Sequence, residues 1–379
     1  MRVVKARGVP RSWRTRESLP ALLGAALLAR CACGETRGST AARLTGWSEP
    51  PRPAHPSALR TLPHRRDLLR TGPLVKSLRG GGVVGEEGGD ERFLLCTDLD
   101  DTLLGDAEAL QVFNAKWRVL RSKGCTLVYN TGRSLRDYLA VLSEWEVLTP
   151  DVFVGGCGTQ MYTFHPPPSR AAGSGGGEAI AVDRWMEALR EGWDKEGVAA
   201  AVSGTQALRD LYGEIEEKHE SHGNNLMFSA RLPDVGRSTD QVREDFEKAL
   251  KAHPACSGLE FQVCVASVSY KGSTVTREGG GGADRCVFID ILPIRAGKGA
   301  ALHFIRETLF PTTLDRTVVA GDSGNDVSMF LFGSGFRGVM VGNAKAELLA
   351  VQNPSLHVVA QARFAAGVTE GLQALGFAA

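Results

Sequence analysis

Three carboxylates, Asp98, Asp100 and Asp101, fall within the run CTDLDDTLLGD (residues 96–106). Like charges this close cost free energy unless a cation or a proton compensates them, so the stretch asks for a metal ion. The other reading is an acidic loop that caps the next helix, since Asp is a good N-cap. A second acid cluster, Asp322 and Asp326, stands in GDSGND. Two further polar turns lie between them: NTGR, with Thr131 and Gly132, and AGKG, with Lys298. Carboxylate oxygens from Asp98, Asp322 and Asp326 are hard ligands of the kind Mg²⁺ prefers. Thr131 with its neighbouring backbone N–H, and Lys298 as a point charge, can hold a phosphoryl group. Asp98 can attack phosphorus and form an aspartyl-phosphate. Asp100 can protonate the leaving alcohol and later take a proton from water. The metal and Lys298 would offset charge on the phosphoryl oxygens in the transition state.

These residues need a scaffold that brings four distant turns together. FLLC (93–96) reads as a short buried strand ending in the first acids. Leu110, Phe113, Trp117 and Leu120 have helical spacing, which predicts a helix over 109–124 with Gly124 at its C-cap. CTLVYNTGRS is a strand ending in a polar turn, SLRDYLAVLSEW a helix, and DVFVGGCGTQMY a strand running into glycines. The order β-α-β-α-β implies a parallel sheet with crossover helices. Turns after parallel strands share one edge and can face one pocket. The middle differs: DRWMEALREGWDKEG and TDQVREDFEKALKAH read as helices, NLMFSARL, FQVCVASVSY and CVFIDILP as strands. That mixture suggests a smaller α+β domain inserted into the first. The pattern of helix and acid-ended strand then resumes with GKGAALHFIRETL and TVVAGDSGND, and FRGVMVGNAK and HVVAQARF add short strand-like pieces. The expected organisation is a leader and linker over 1–90, a core of 91–160 with 291–379, and a cap over 161–290.

DLDDTL, TGR, Lys298 and GDSGND, in that order, resemble the four motifs of haloacid-dehalogenase (HAD)-type phosphatases. Further runs (FNAKW, LTPD, GCGTQMY, DILPIRAGKGAAL and GNAKAEL) resemble the sucrose-6-phosphate phosphatase family. The resemblance extends from about Leu95 to Gly367 and thins through the cap. It implies a Rossmann-like α/β HAD core with a parallel sheet and an inserted α+β cap of the C2 type that recognises the sugar. Carried over by position, Asp98 is nucleophile and metal ligand, and Asp100 is acid/base and a ligand through its carbonyl. Thr131, Gly132 and Lys298 hold phosphate, and Asp322 holds Mg²⁺ with Asp326 and Asn325 beside it. Asp101 receives no catalytic role.

The implied activity is Mg²⁺-dependent hydrolysis of a sugar phosphate, sucrose 6-phosphate first. An osmolyte phosphate of the mannosylglycerate or glucosylglycerol type is the alternative, followed by a non-catalytic sugar-binding module or a phosphomutase. Sucrose-phosphate synthase is the protein partner such a family suggests. The family reads roughly H-K-V-S-F before its first cap strand, whereas this chain has Asn224-Asn225-Leu226-Met227-Phe228. Asn225 thus takes the place of a lysine, keeping hydrogen bonding and losing charge. Gln160, after GCGT, is a further candidate for sugar contact.

Bulk properties narrow the partners. The 379 residues carry a formal charge of +1, which argues against nucleic acid or an anionic membrane. No C-x-x-C or H-x-x-x-H pair stands in the sequence, so zinc is not expected. Trp185 and Trp193 are expected in a core, His219 and His222 in solvent, and Arg133 on phosphate or an acid. Residues 1–85 are rich in Arg and poor in acids, the composition of an organelle transit peptide. That points to a plastid or mitochondrion, or to the cytoplasm if the leader is no targeting signal. The apolar run LPALLGAALLA within it is too short to span a bilayer, so the mature form is expected off the membrane.

Overall fold

The structure of the protein, a computed structural model, describes residues 92–377 except 166, 168–176, 219–222, 271–283 and 332–334. The expected leader and the readings of His219 and His222 therefore lie outside the described residues. In chain order the first part runs β1 (Leu94–Thr97), α1 (Ala107–Ser122), β2 (Thr126–Asn130), α2 (Leu135–Glu144), β3 (Val152–Gly155), β4 (Gln160–His165) and β5 (Glu178–Ala181). The middle part is α3 (Asp183–Arg190), α4 (Lys195–Gly204), α5 (Gln206–Tyr212), β6 (Phe228–Pro233), α6 (Thr239–Ala252), β7 (Phe261–Tyr270) and β8 (Asp284–Pro293). The last is α7 (Lys298–Phe304), β9 (Thr317–Gly321), α8 (Val327–Leu331), β10 (Arg337–Met340), α9 (Ala346–Leu349), β11 (His357–Val359) and α10 (Phe364–Ala374).

The larger sheet has eight strands in the order β11-β10-β9-β1-β2-β3-β4-β5. All pairings from β11 to β3 are parallel. Both faces are covered, as parallel sheets require: Leu95 belongs to one buried cluster with Phe113, Trp117 and Leu127, while Leu94 and Cys96 belong to the other with Val128, Val319 and Met329. The alternation of a strand splits its side chains between the two layers. Helix α1 is capped by Asp106, whose carboxylate accepts from Ala109 N–H at 3.0 Å. Capping therefore falls to Asp106, and the three acids ahead of it are left for another purpose.

Two boundaries differ from the sequence reading. Strands β4 and β5, expected within the cap, pair antiparallel onto the large sheet. A tight turn at Gly156–Gly158, with Cys157 at φ 53°, reverses the chain after β3. The run DRWMEALREGWDKEG is two helices, not one. The first ends where Glu191 turns extended, followed by Gly192 at φ 71°, and Asp194 caps the second by accepting from Gly197 N–H. Trp185 and Leu189 are buried as expected, whereas Trp193 is partly buried between the helices. The smaller sheet, β6-β8-β7, is antiparallel throughout. Its Ile289 and Ile291 pack with Phe246 of α6, Val198 of α4 and Leu208 of α5 in a cluster of their own.

Candidate active site

Asp98, Thr131 and Asp322 each follow a strand, and Lys298 opens a helix, along one sheet edge. Thr97 of β1 aligns with Tyr129 of β2 and Ala320 of β9. Asp98, Thr131 and Asp322 follow these strands and so emerge side by side, and Asp98 N–H donates to Ala320 O at 3.1 Å. Lys298 arrives from far along the chain, at the start of α7. Two contacts fix it there. The Asn130 amide donates to the Lys298 carbonyl at 2.9 Å. The turn after β3 presses on Gly297, where a Cβ on Gly158 would lie 2.4 Å from the Gly297 carbonyl. Gly158 also has φ 95°, so glycine is required there on both counts.

The Lys298 ammonium is buried within 3.0 Å of Asp98 Oδ2 and 2.7 Å of Asp326 Oδ1, and it donates to Asn325 Oδ1 at 3.1 Å. Asp326 spends its other oxygen on the N–H groups of Asp322 and Ser323, at 3.0 and 3.1 Å. It shapes the GDSGND turn with both oxygens. Asp322 accepts from the Thr102 hydroxyl at 3.3 Å, with Lys345 Nζ 3.6 Å away. Carboxylate oxygens of Asp98, Asp322 and Asp326 lie within 4.8 Å of one another.

The electrostatics follow from that crowding. Burial raises the Asp98 carboxyl well above its usual range, with Lys298 opposing and Asp326 and Asp322 adding to the rise. Burial and Asp326 push Asp322 up to about 7. Burial alone would depress Lys298, but Asp326 and Asp98 outweigh it and hold the ammonium above its ordinary range. The site thus has more buried carboxylate than buried cation, on hard oxygens, which fits a divalent ion such as Mg²⁺.

The remaining expected residues are placed unevenly. Asp100 points away from the buried cluster, and its carboxylate is gripped by Arg133 through three hydrogen bonds of 2.6, 2.8 and 3.1 Å. Arg133 is therefore paired with an acid. Thr131 is fully buried, and its N–H is spent on Val154 O. Its hydroxyl accepts from Arg133 N–H at 3.2 Å. Gly132 N–H, between them, has no protein acceptor among the described residues. Asp101 takes φ 56°, and its carbonyl accepts from Asn343, which ties the first acid turn to the GNAK loop.

Of the substrate candidates, Gln160 is partly exposed, and its Oε1 has no hydrogen-bond partner among the described residues. Asn225 is exposed, and its carbonyl accepts from Trp193 Nε1. Its neighbour Asn224 is the buried one, donating to Thr159 Oγ1 at 2.7 Å and accepting from Leu226 N–H. The charge missing at 225 has a neighbour nonetheless, since Lys195 Nζ donates to the Asn224 carbonyl at 3.0 Å and pairs with Glu217 at 2.6 Å. Neither Lys195 nor Asn130 was singled out from sequence. Lys195 lies 29 residues from its partner, and no local pattern announces that contact.

A doubly wound sheet with its acids, threonine and lysine on one edge, carrying an inserted α+β unit, defines a phosphatase of the HAD class. The model of the sucrose-6F-phosphate phosphohydrolase family matches residues 91–224 and 284–376, and the chain belongs to that family. A mannosylfructose-phosphate phosphatase from Agrobacterium fabrum is 31% identical, over 75% of this chain and 96% of its own length. Sucrose-phosphatase 2 of Nicotiana tabacum is 29% identical over 75% of this chain, and the chain spans 59% of that relative's length. Among solved structures, the sucrose-phosphatase of Synechocystis, determined with sucrose and phosphate, superposes with a TM-score of 0.56. It is 25% identical, covering 75% of this chain and 98% of its own. The family match skips residues 225–283, which hold β6, α6 and β7.

Proposed function

We propose that the protein is a Mg²⁺-dependent phosphatase that removes the phosphoryl group from a disaccharide phosphate, with sucrose 6-phosphate as the leading substrate. The buried Asp98–Lys298–Asp326 ion cluster beside Asp322 is the observation that carries the chemistry. The family match and the Synechocystis complex with sucrose and phosphate support the substrate class. The Agrobacterium relative favours one second reading, a mannosyl-fructose phosphate. Both sugars are fructosyl disaccharides, so the two readings share the chemistry and differ in the cap.

In this reading Asp100 leaves its ion pair with Arg133 and turns, protonated, toward the sugar oxygen. An Asp98 oxygen attacks phosphorus while the bond to the sugar oxygen breaks, and Asp100 gives its proton to that oxygen. Water then attacks the aspartyl-phosphate, Asp100 takes a proton from it, and phosphate leaves with Asp98 restored. Lys298, Thr131 and the Gly132 N–H hold the non-bridging oxygens. Asp98 and Asp322, with the Asp100 carbonyl, would hold Mg²⁺, which supplies charge neutralisation for the phosphoryl group. Asp326 stands behind them, since both its oxygens are already bonded. We take the cap to begin after Ala181, where the chain leaves the large sheet, and to close with β8. Gln160 and Asn325 are its polar neighbours on the core side, and Asn224, within the cap, reaches the core through Thr159. The Arg-rich leader would direct the chain to an organelle, and a synthase that forms the phosphorylated disaccharide would supply the substrate. Among the described residues no helix is long and apolar enough to cross a membrane.

Phosphate release with Mg²⁺ across a panel of sugar phosphates tests the substrate. Preference for sucrose 6-phosphate is expected, and preference for mannosylfructose phosphate selects the second reading. Equal, slow release from all of them counts against both.

Metal binding should depend on pH. A carboxyl raised in the folded state gives stability that is full below its unfolded pKa and lost as pH rises through the folded value. For Asp322 that loss runs from the ordinary carboxylate range up to about 7. Metal-free protein should therefore melt lower at pH 8 than at pH 6, and Mg²⁺ should raise Tm more at pH 8, where protons no longer compete with it. Equal Mg²⁺-induced shifts at both pH values in thermal melts would count against the assigned carboxylates.

A further inference from the structure

The cap carries a carboxylate that the phosphoryl chemistry does not use. Asp290 lies on β8, the central strand of the smaller sheet. Its neighbours Ile289 and Ile291 are fully buried in the cap's own cluster, so alternation turns Asp290 to the opposite face. In the same cross-strand row stand Ser229 of β6 and Cys264 of β7. That face meets the core: Cys157, in the turn after β3, lies with its Sγ 3.6 Å from Asp290 Oδ2. Cys157 N–H in turn donates to the carbonyl of Thr131 at 3.0 Å. Asp290 is thus one residue removed from the phosphate-holding turn, yet it belongs to the cap.

Its hydrogen bonding is incomplete. Among the described residues the Ser229 hydroxyl donates to Oδ1 at 2.5 Å, and the Cys157 thiol, a weak donor, is the other partner. An ionised carboxylate has about four acceptor positions. Burial raises the Asp290 carboxyl, with Ser229 and the charge of Lys218 opposing, so the shortfall has an electrostatic cost. A phosphoryl group would be repelled here, and the acid cluster that suits a metal lies elsewhere. A neutral O–H donor fits.

We propose that Asp290, held by Ser229, is a specificity-determining residue that accepts a hydrogen bond from a hydroxyl of the sugar leaving group. The inference rests on the sugar-phosphate reading above and adds the atom that reads the sugar. A site built around a substrate hydroxyl discriminates strongly against analogues without it, because its buried polar group is then left unpaired.

The test uses the full chain with Mg²⁺, the preferred sugar phosphate from the panel, and p-nitrophenyl phosphate, whose leaving group carries no further hydroxyl. Asp290→Asn should lower kcat/KM for the sugar phosphate about 10- to 100-fold, the range for a hydrogen bond to a charged group. The loss should fall mainly in KM, with p-nitrophenyl phosphate changed less than about 3-fold, well under that range. Ser229→Ala, which keeps the carboxylate, should show a smaller loss with the same selectivity, and serves if the first variant melts early. Parallel loss on both substrates, or loss on neither, overturns the inference. A wild-type enzyme with no preference for any sugar phosphate over p-nitrophenyl phosphate overturns the proposed function itself, before either variant is read.

Discussion

An Asp98→Asn protein should release phosphate at least about 10⁴-fold more slowly than wild type, the scale seen when a nucleophile is removed from a site acting as a unit. The amide keeps the shape of the carboxylate but cannot attack phosphorus. Stability should move the other way. Asp98 is buried, with its carboxyl raised by burial and by Asp326 and Asp322. Removing its charge therefore relieves an unfavourable cluster, and the metal-free variant should melt at or above the wild-type temperature. The pair of measurements separates a nucleophile from a structural acid. Loss of activity accompanied by a large fall in Tm would assign Asp98 to folding instead.

Lys298→Met gives the second large effect, and here both quantities should fall. The ammonium faces Asp98 and Asp326, which are 4% and 0% exposed at their side chains, so methionine strands two buried carboxylates. Breaking a buried pair by removing one partner costs about 3–5 kcal/mol. Loss of one charge on the phosphoryl oxygens should cost about 10²- to 10³-fold in kcat. Mg²⁺ should restore part of the stability, by neutralising the same carboxylates, and little of the rate. Denaturant titration with and without Mg²⁺, beside steady-state kinetics, checks both. A variant as stable as wild type without metal would show that the carboxylates are not relying on the lysine.

The edge that carries the candidate site was legible in the sequence because its signals are local. FLLC followed by acids, and TVVAG followed by DSGND, each state a buried strand and a polar turn within ten residues. Parallel pairing then places the turns together without further information. The errors came where geometry depends on distant partners or on one backbone angle. The apolar spacing of Trp185, Leu189 and Trp193 continues in helical phase, but Glu191 turns extended ahead of Gly192 at φ 71°, and the helix ends between them. GCGTQMY gives no sign that Cys157 turns left-handed and sends β4 back along β3. The Arg133–Asp100 grip spans 33 residues, and the Ser229–Asp290 contact spans 61. That second contact exists only in one register of β6 on β8, and a slip of one residue would turn Asp290 into the cap's apolar cluster. Asn224 and Asn225 show the same limit at close range, since only the fold decides which of the two is buried.

Chemical trapping of the phosphorylated enzyme bears most directly on Asp98 as the group that takes the phosphoryl. Wild-type protein mixed with Mg²⁺ and its preferred sugar phosphate, quenched in acid within one turnover and digested, is examined by mass spectrometry. A phosphoryl group on the peptide carrying Asp98, absent from Asp98→Asn and lost with time as free phosphate appears, is the expected result. Phosphate release at the full rate with no phosphoryl group on that peptide, or with one on a different residue, would contradict it.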